Sequence, residues 1–236
     1  MFSPITLSEM DEVRLMNRMD TKFVVNLNLI PEVLQSVVND YRILEISNNR
    51  LMTYDSKYYD TENLSFYLNH HNKRANRIKI RKRNYVESGI TFLEIKRKDN
   101  KGITHKSRIP IDNFSTQLSK EGQEFITETV RKELDISLSI SNRFNRITLV
   151  SKHDVERVTM DFNLGFDGNV LNENLAIIEL KQEKLDRTSK LFQALKQRQI
   201  HPYSISKYCI GMATTQPNLK QNYFKHKILT INKKTA

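Results

Sequence analysis

Apolar and polar positions alternate with a period of two through much of the chain. In Asn76-Arg77-Ile78-Lys79-Ile80-Arg81-Lys82-Arg83-Asn84-Tyr85 the cations at 77, 79, 81 and 83 alternate with Ile78, Ile80 and Lys82. Successive side chains of a strand point to opposite faces, so this stretch as a strand puts four positive charges in a row. As a helix the same residues would scatter around the axis, and the two isoleucines would share no face. Same-face neighbours in a strand lie roughly 6–7 Å apart, close to the repeat of a phosphate chain. Thr91 to Lys98 repeats the pattern with Glu94, Lys96 and Lys98 on one face, and His105 to Ile111 repeats it with Lys106 and Arg108. The connections, Glu87-Ser88-Gly89 and Asp99 to Gly102, are short, which predicts an antiparallel ladder.

Other segments read the same way. Arg18 to Val25 sets Asp20, Lys22 and Val24 on one face, and Leu51 to Tyr59 reads as a tyrosine-rich strand. Ser141 to Val150 and Glu156 to Phe162 follow, the latter with a polar 157/159/161 face; in Leu175 to Lys181, Ile177, Glu179 and Lys181 oppose Ala176, Ile178 and Leu180. Helical spacing marks Pro31 to Asp40 through Val33, Leu34, Val37 and Val38, and Phe114 to Leu134 through Leu118, Phe125, Ile126 and Val130. Asp60-Thr61 is placed to cap a helical turn, and Asp186 to cap a helix over Arg187 to Gln199. Ser204 to Thr214 reads as a further helix with Lys207 in its first turn. Residues 1–15 read as a short helix or lead-in. With no internal repeat or Pro/Gly linker, the expectation is one domain over residues 1–216 and a basic tail over 217–236, loose at its end.

Lys and Arg number 38 against 27 Asp and Glu, a formal charge of +11, which biases the protein toward anionic partners. Cys209 is the single cysteine, so no disulfide forms within the chain; this, with no apolar run of membrane-span length and no signal-peptide pattern, points to the cytoplasm. His70 and His71 have no partners at zinc-site spacing. Solvation accounts for the polar face of an open sheet, but a surface sheet usually mixes signs because like charges opposite one another repel. If the strands instead curl into a barrel, their cationic faces line a lumen, and such a lumen requires anions.

Several stretches, in order, resemble the VTC domain of polyphosphate polymerases, within the triphosphate tunnel metalloenzyme (CYTH-like) superfamily. They are Asn17-Arg18-Met19-Asp20-Thr21-Lys22-Phe23, Tyr58-Tyr59-Asp60-Thr61, Lys79 to Tyr85, Leu93 to Lys98 and Lys106-Ser107-Arg108. Phe144-Asn145-Arg146, Arg157 to Asp161, Ile178 to Lys181 and Ser206-Lys207-Tyr208 follow, so the resemblance runs from about Leu15 to Met212. It implies an α+β fold, an antiparallel β-barrel of about eight strands forming a tunnel with flanking helices. Carried over by position, Lys22, Arg81, Arg83, Lys96, Lys106, Arg146, Arg157 and Lys207 are its phosphate ligands, with Arg81, Arg83, Lys96 and Arg157 the catalytic set. Glu179 is the carboxylate for Mn²⁺ or Mg²⁺. Arg18, Lys79, Lys98, Arg108 and Lys181 are second choices.

The implied activity is a metal-dependent phosphotransferase that passes the γ-phosphoryl group of ATP to inorganic polyphosphate. Two alternatives stand beside it: a tripolyphosphate or nucleoside-triphosphate hydrolase, and a non-catalytic polyphosphate-binding module. Hydrolytic relatives carry Glu-x-Glu-x-Lys in the first strand; aligned on Lys22, those glutamate positions hold Arg18 and Asp20 here, which favours polymer growth over hydrolysis. No interleaving of aromatic and basic residues like that of a base-stacking platform supports nucleic acid as partner. In eukaryotic relatives the domain works beside membrane-embedded subunits, so a membrane-protein partner or the basic tail is the route by which this chain would reach a membrane.

Overall fold

The computed structural model describes residues 1–12 and 18–236. Leu15, where the resemblance begins, and Asn17, which opens its first motif, lie outside the described residues. The N-terminal part contains β1 (Ser3–Ile5), α1 (Leu7–Glu12), β2 (Met19–Asn26), α2 (Ile30–Val37), β3 (Tyr41–Leu44), β4 (Met52–Asp60) and α3 (Ser65–His71). The three basic segments form β5 (Arg77–Tyr85), β6 (Ile90–Lys98) and β7 (Thr104–Ile111), followed by α4 (Lys120–Val130). The remainder is β8 (Ser137–Ser151), β9 (Glu156–Phe166), β10 (Asn169–Val170), β11 (Leu175–Gln182), α5 (Lys190–Gln197), α6 (Lys207–Thr215) and α7 (Asn222–Thr235).

Eight strands pair antiparallel in the order β2-β11-β9-β8-β4-β5-β6-β7. As expected, the eight strands curl into a tunnel flanked by helices, although the sheet does not close. Among the described residues β2 and β7 do not pair, although Lys22 and Lys106 of these two edge strands line the same cavity. The β2 edge is already used: Phe23 bridges Pro202, and Tyr203 N–H donates to Lys22 O at 2.6 Å. On the other side β7 is largely exposed, with Lys106, Arg108 and Pro110 along it, a composition that discourages edge pairing.

The apolar faces point outward, away from the tunnel, and the helices cover them. Phe23, Val25, Val158, Met160, Ile178 and Leu180 pack under α2 and α5; Ile80, Leu93 and Ile95 pack under α4. Helices α3, α6 and α7 cover the third side around Tyr67, Phe144, Phe166 and Phe224. Buried Asp60 ties two of them to the end of β4: its carboxylate accepts N–H groups from Phe66 and Tyr67 at 2.9 Å each, and the Tyr208 hydroxyl. Gly211 lets α6 lie flat on the sheet, since a Cβ there would fall 2.4 Å from the Phe166 ring.

Local details differ from the reading of the sequence. Ser189, not Asp186, caps the α5 helix, accepting from Phe192 N; Asp186 instead accepts from Thr188 N at 2.7 Å, a local turn that competes with helix. Helix α4 is shorter than expected because Ser119 caps it at Gly122 N. His70 and His71 end α3 rather than lying in a loop. The segment after Pro217 is not a loose tail: α7 packs on β2 and α6 and buries Phe224 and Ile231, with Ile228 packed beside them. Among the described residues no helix is long and apolar enough to cross a membrane.

Candidate phosphate-binding tunnel

The inner strand faces enclose a cavity of about 730 Å³. Lys22, Arg81, Arg83, Lys96, Lys106, Arg146, Arg157, Lys207 and Glu179 all line it, from seven strands and the first turn of α6. Of the second choices Arg18, Lys79, Arg108 and Lys181 line it too, while Lys98 does not; Arg77, at the start of the basic strand, also stands outside the lining. Among the described residues twelve Lys and Arg side chains face the cavity against three carboxylates, Asp20, Glu94 and Glu179.

Two buried acids are tied up as braces. Glu94 accepts from Arg81 Nε and Nη2 at 2.8 and 2.6 Å, and its other oxygen pairs with Lys106 at 2.5 Å. Asp161 lies behind the lining and holds Arg146 in a bidentate pair at 2.5 and 2.8 Å, with Lys207 on one of the same oxygens. Burial would raise both acids, but Arg81 and Arg83 beside Glu94, and Arg146 and Lys207 beside Asp161, hold them far below the usual carboxylate range. Such pairs fix the guanidinium planes before a ligand arrives. Glu179 is held differently, by two lysines, Lys22 at 3.3 Å and Lys181 at 3.6 Å. Burial opposes its ionisation as well, yet Lys181, Lys22, Arg146 and Lys96 keep it ionised well below its ordinary value.

The remaining cations have weaker partners. Arg83 Nε donates to Ser56 Oγ at 3.2 Å, and its guanidinium lies over the rings of Tyr54 and Phe144 at 5.4 and 5.6 Å. Those two rings, stacked 5.3 Å apart, also carry Arg146, and Phe144 carries Lys207. Lys79 Nζ donates to Ser206 Oγ, the cap of α6, at 2.9 Å. Arg157 Nη2 donates to Met10 O at 2.8 Å. Among the described residues Lys96 makes no ion pair. Register pairs Lys79 with Lys96 and Lys96 with Lys106, so three lysines stand abreast on adjacent strands, with Lys79 reaching Ser206 and Lys106 reaching Glu94. Burial, then repulsion from Arg81 and Arg83, drives the Lys96 pKa well below its ordinary value. Lys181 is pushed down to about 8, by burial first and by Arg146 beside it, with Glu179 pulling the other way.

Tyr58 is a lining residue whose part the sequence did not mark. Its hydroxyl accepts from Arg81 Nη1 at 3.1 Å, and its ring stacks on Tyr208 at 5.1 Å. Burial alone would raise this phenol, but Arg81 and Arg83 outweigh it and bring the pKa down to about 8. The alternation Tyr54-Ser56-Tyr58 along β4 was the available signal, since these three share a face with the neighbouring Arg83 and Arg81.

The donor set bears on what metal the tunnel could hold. Among the described residues no three His, Cys, Asp or Glu side chains cluster. Glu94 and Asp161 are committed to arginines, which leaves Glu179 as the lining carboxylate braced only by lysines. One carboxylate suits a hard divalent ion that takes its other ligands from phosphate oxygens and water.

The sequence model of the VTC domain matches residues 17–216. No curated protein matches the chain. Among solved structures, a putative adenylate cyclase from Bacillus halodurans superposes with a TM-score of 0.54 at 11% identity, covering 80% of this chain and 94% of that one. A putative adenylyl cyclase from Hippeastrum, described as having a dominant triphosphatase activity, gives a TM-score of 0.51 at 14% identity, covering 86% and 99%. At these identities the likeness is one of fold.

Proposed function

The chain belongs to the VTC domain family, and from that premise we propose that it transfers the γ-phosphoryl group of ATP to the end of a growing inorganic polyphosphate chain held in the tunnel. The observation that carries this reading is the charge imbalance inside: among the described residues, twelve cations against three lining carboxylates, with three lysines abreast. Like charges placed opposite one another destabilise a sheet unless something anionic lies between them.

In the proposed step a terminal oxygen of the polyphosphate chain attacks Pγ of ATP, the bond from Pγ to the β,γ-bridging oxygen breaks, and ADP leaves. The chain lengthens by one phosphate. Phosphoryl transfer asks a protein mainly for in-line positioning and charge stabilisation. Arg81 and Arg146, held by Glu94 and Asp161, are fixed donors for non-bridging oxygens. Arg83 and Lys96, with weaker partners, have their positive charge available for the group in flight. Lys22, Lys106, Arg157 and Lys207 hold the flanking phosphates. Glu179 would hold Mn²⁺ or Mg²⁺ together with phosphate oxygens, and the ion when bound neutralises charge between neighbouring phosphates. Glu179 is a poor base for activating water, because its surrounding lysines keep it ionised far below neutrality.

Purified protein with ATP and Mn²⁺ should release ADP in step with a polymer that lengthens on a gel. Orthophosphate without polymer would replace this reading with hydrolysis. Neither product, with polyphosphate binding that falls steeply as salt rises, would leave a binding module.

A further inference from the structure

The inner faces of β2, β11, β9 and β8 bring Lys22, Glu179, Thr159 and Thr148 into one row across the tunnel wall, each opposite the next in register. All four line the cavity. Thr159 is 3% exposed, and its Oγ1 has no hydrogen-bond partner among the described residues. The carboxylate on one side does not supply one, because Glu179 Oε1 pairs with Lys22 and Oε2 with Lys181. On the other side, Thr148 makes no bond to it. A buried hydroxyl left without a partner keeps the full cost of its lost hydration. Shape alone would favour valine here, which has the same branching, suits a strand as well and carries no such cost. The orphaned hydroxyl therefore marks a place that a polar atom fills from outside the protein.

The row itself limits what that atom is. Glu179 is the lining carboxylate braced only by lysines, and it suits one hard divalent ion that takes its other ligands from water and phosphate oxygens. Lys96, on β6, approaches Glu179 closely enough for each to act on the other's ionisation, so a phosphate held by Lys96 and an ion held by Glu179 share one section of the tunnel. We propose that Thr159 is a positioning residue for that ion: its hydroxyl hydrogen-bonds an oxygen ligand of the ion, a coordinated water or a phosphate oxygen, and so orients ligands that a single carboxylate leaves free to turn. This rests on the assignment of Glu179 to a divalent ion, and not on whether phosphoryl groups pass to polymer or to water. Partners that orient a metal's ligands are worth about 10–100-fold in metal affinity.

The test is Thr159→Val, with Thr159→Ser beside it as the conservative variant. Bound and free Mn²⁺ are read by electron paramagnetic resonance, with protein alone and with protein plus inorganic tripolyphosphate. Tripolyphosphate affinity without metal is measured calorimetrically, and the ligand-free proteins are melted. T159V should melt at or above the unmodified protein, because it loses an unpaired buried hydroxyl. With tripolyphosphate present it should bind Mn²⁺ about tenfold more weakly, while its metal-free affinity for tripolyphosphate stays within about twofold. T159S should recover Mn²⁺ binding to within about threefold of the unmodified protein. A loss already seen with Mn²⁺ alone assigns the hydroxyl to a coordinated water, and one seen only with tripolyphosphate assigns it to a phosphate oxygen. Unchanged Mn²⁺ affinity in T159V, an equal loss of tripolyphosphate with and without metal, or a lower melting temperature of the empty variant would overturn the inference. So would an unmodified protein that binds no Mn²⁺ in either arm. The polymerase reading fails separately, on its product: orthophosphate in place of polymer, with the Mn²⁺ difference intact, removes that reading and leaves Thr159 in its role.

Discussion

Replacing Lys96 with methionine should make the empty protein more stable and the filled one less so. Lys96 stands between Lys79 and Lys106 in register, and among the described residues no carboxylate pairs with it. A like-charge pair directly opposite costs about 0.2–1 kcal/mol; Lys106 already pairs with Glu94, so removing the Lys96 ammonium relieves chiefly the pair with Lys79, about 0.2–1 kcal/mol. Methionine keeps the stem's volume against its neighbours and removes the charge whose desolvation already depresses the Lys96 pKa. In a chain of this size each kcal/mol shifts Tm by about 2–4 °C, so K96M should melt about 0.4–4 °C higher in low-salt buffer without polyanion. Added long-chain polyphosphate should raise the Tm of the unmodified protein more than that of K96M, narrowing or reversing the gap, because the variant offers one charge fewer. Differential scanning fluorimetry with and without polyphosphate reads both. A lower Tm for unliganded K96M would show that Lys96 makes net favourable contacts in the empty tunnel, and the case for a built-in deficit of anions would fail. An equal polyphosphate shift in both proteins would mean that the lysine row does not meet the polymer.

Glu179→Gln should lower metal-dependent turnover about a hundredfold or more while leaving metal-free polyphosphate affinity equal or higher, measured by ADP release and by competition binding. Asp161→Asn leaves Arg146 and Lys207 buried beside a neutral partner and should cost about 3 kcal/mol in urea unfolding. Gly211→Ala forces a Cβ against Phe166 and should cost about 1–3 kcal/mol, seen as a fall in Tm without selective loss for any one ligand. Stability of the empty protein should rise with pH from about 8 toward 10: the folded state releases the Lys181 and Tyr58 protons near 8, whereas the unfolded chain keeps them until their ordinary values of 10.5 and 10.0. The unfolded state therefore binds more protons in that window, and the slope is positive. Polyphosphate should reverse it by favouring the protonated lysine, and thermal melts across the pH series decide.

The resemblance to the VTC domain supplied most of the candidate site, and strand alternation grouped part of it. Because a strand repeats every two residues, Lys79, Arg81 and Arg83 could be placed together, and Glu94 with Lys96, without any knowledge of how the sheet curls. Which carboxylate is tied and which stands apart was not legible, since Glu94 and Glu179 have similar surroundings in the sequence. It is the register opposite Arg81, with Lys106 reaching across from β7, that commits Glu94, and the register opposite Lys22 that leaves Glu179 to lysines. The open seam was hidden for a related reason: the β2 edge is occupied by residues 202–203, some 180 positions away, through backbone hydrogen bonds that carry no side-chain signature. Helix α7 did leave a trace. Phe224, Ile228 and Ile231 recur at helical spacing within a segment whose lysines mask it in any average.

The aromatic residues at the tunnel wall help to separate a phosphate chain from a nucleic acid strand as the occupant. A base-stacking groove needs open ring faces. Here Tyr54 and Phe144 stack on each other and carry Arg83 and Arg146, Phe144 also carries Lys207, and Tyr58 is stacked on Tyr208. The rings therefore serve as platforms that hold guanidinium and ammonium groups in a low-dielectric wall, where attraction to phosphate is stronger than in water. A base inside this section would have to displace a cation from its ring and lose the charge that its own phosphate needs.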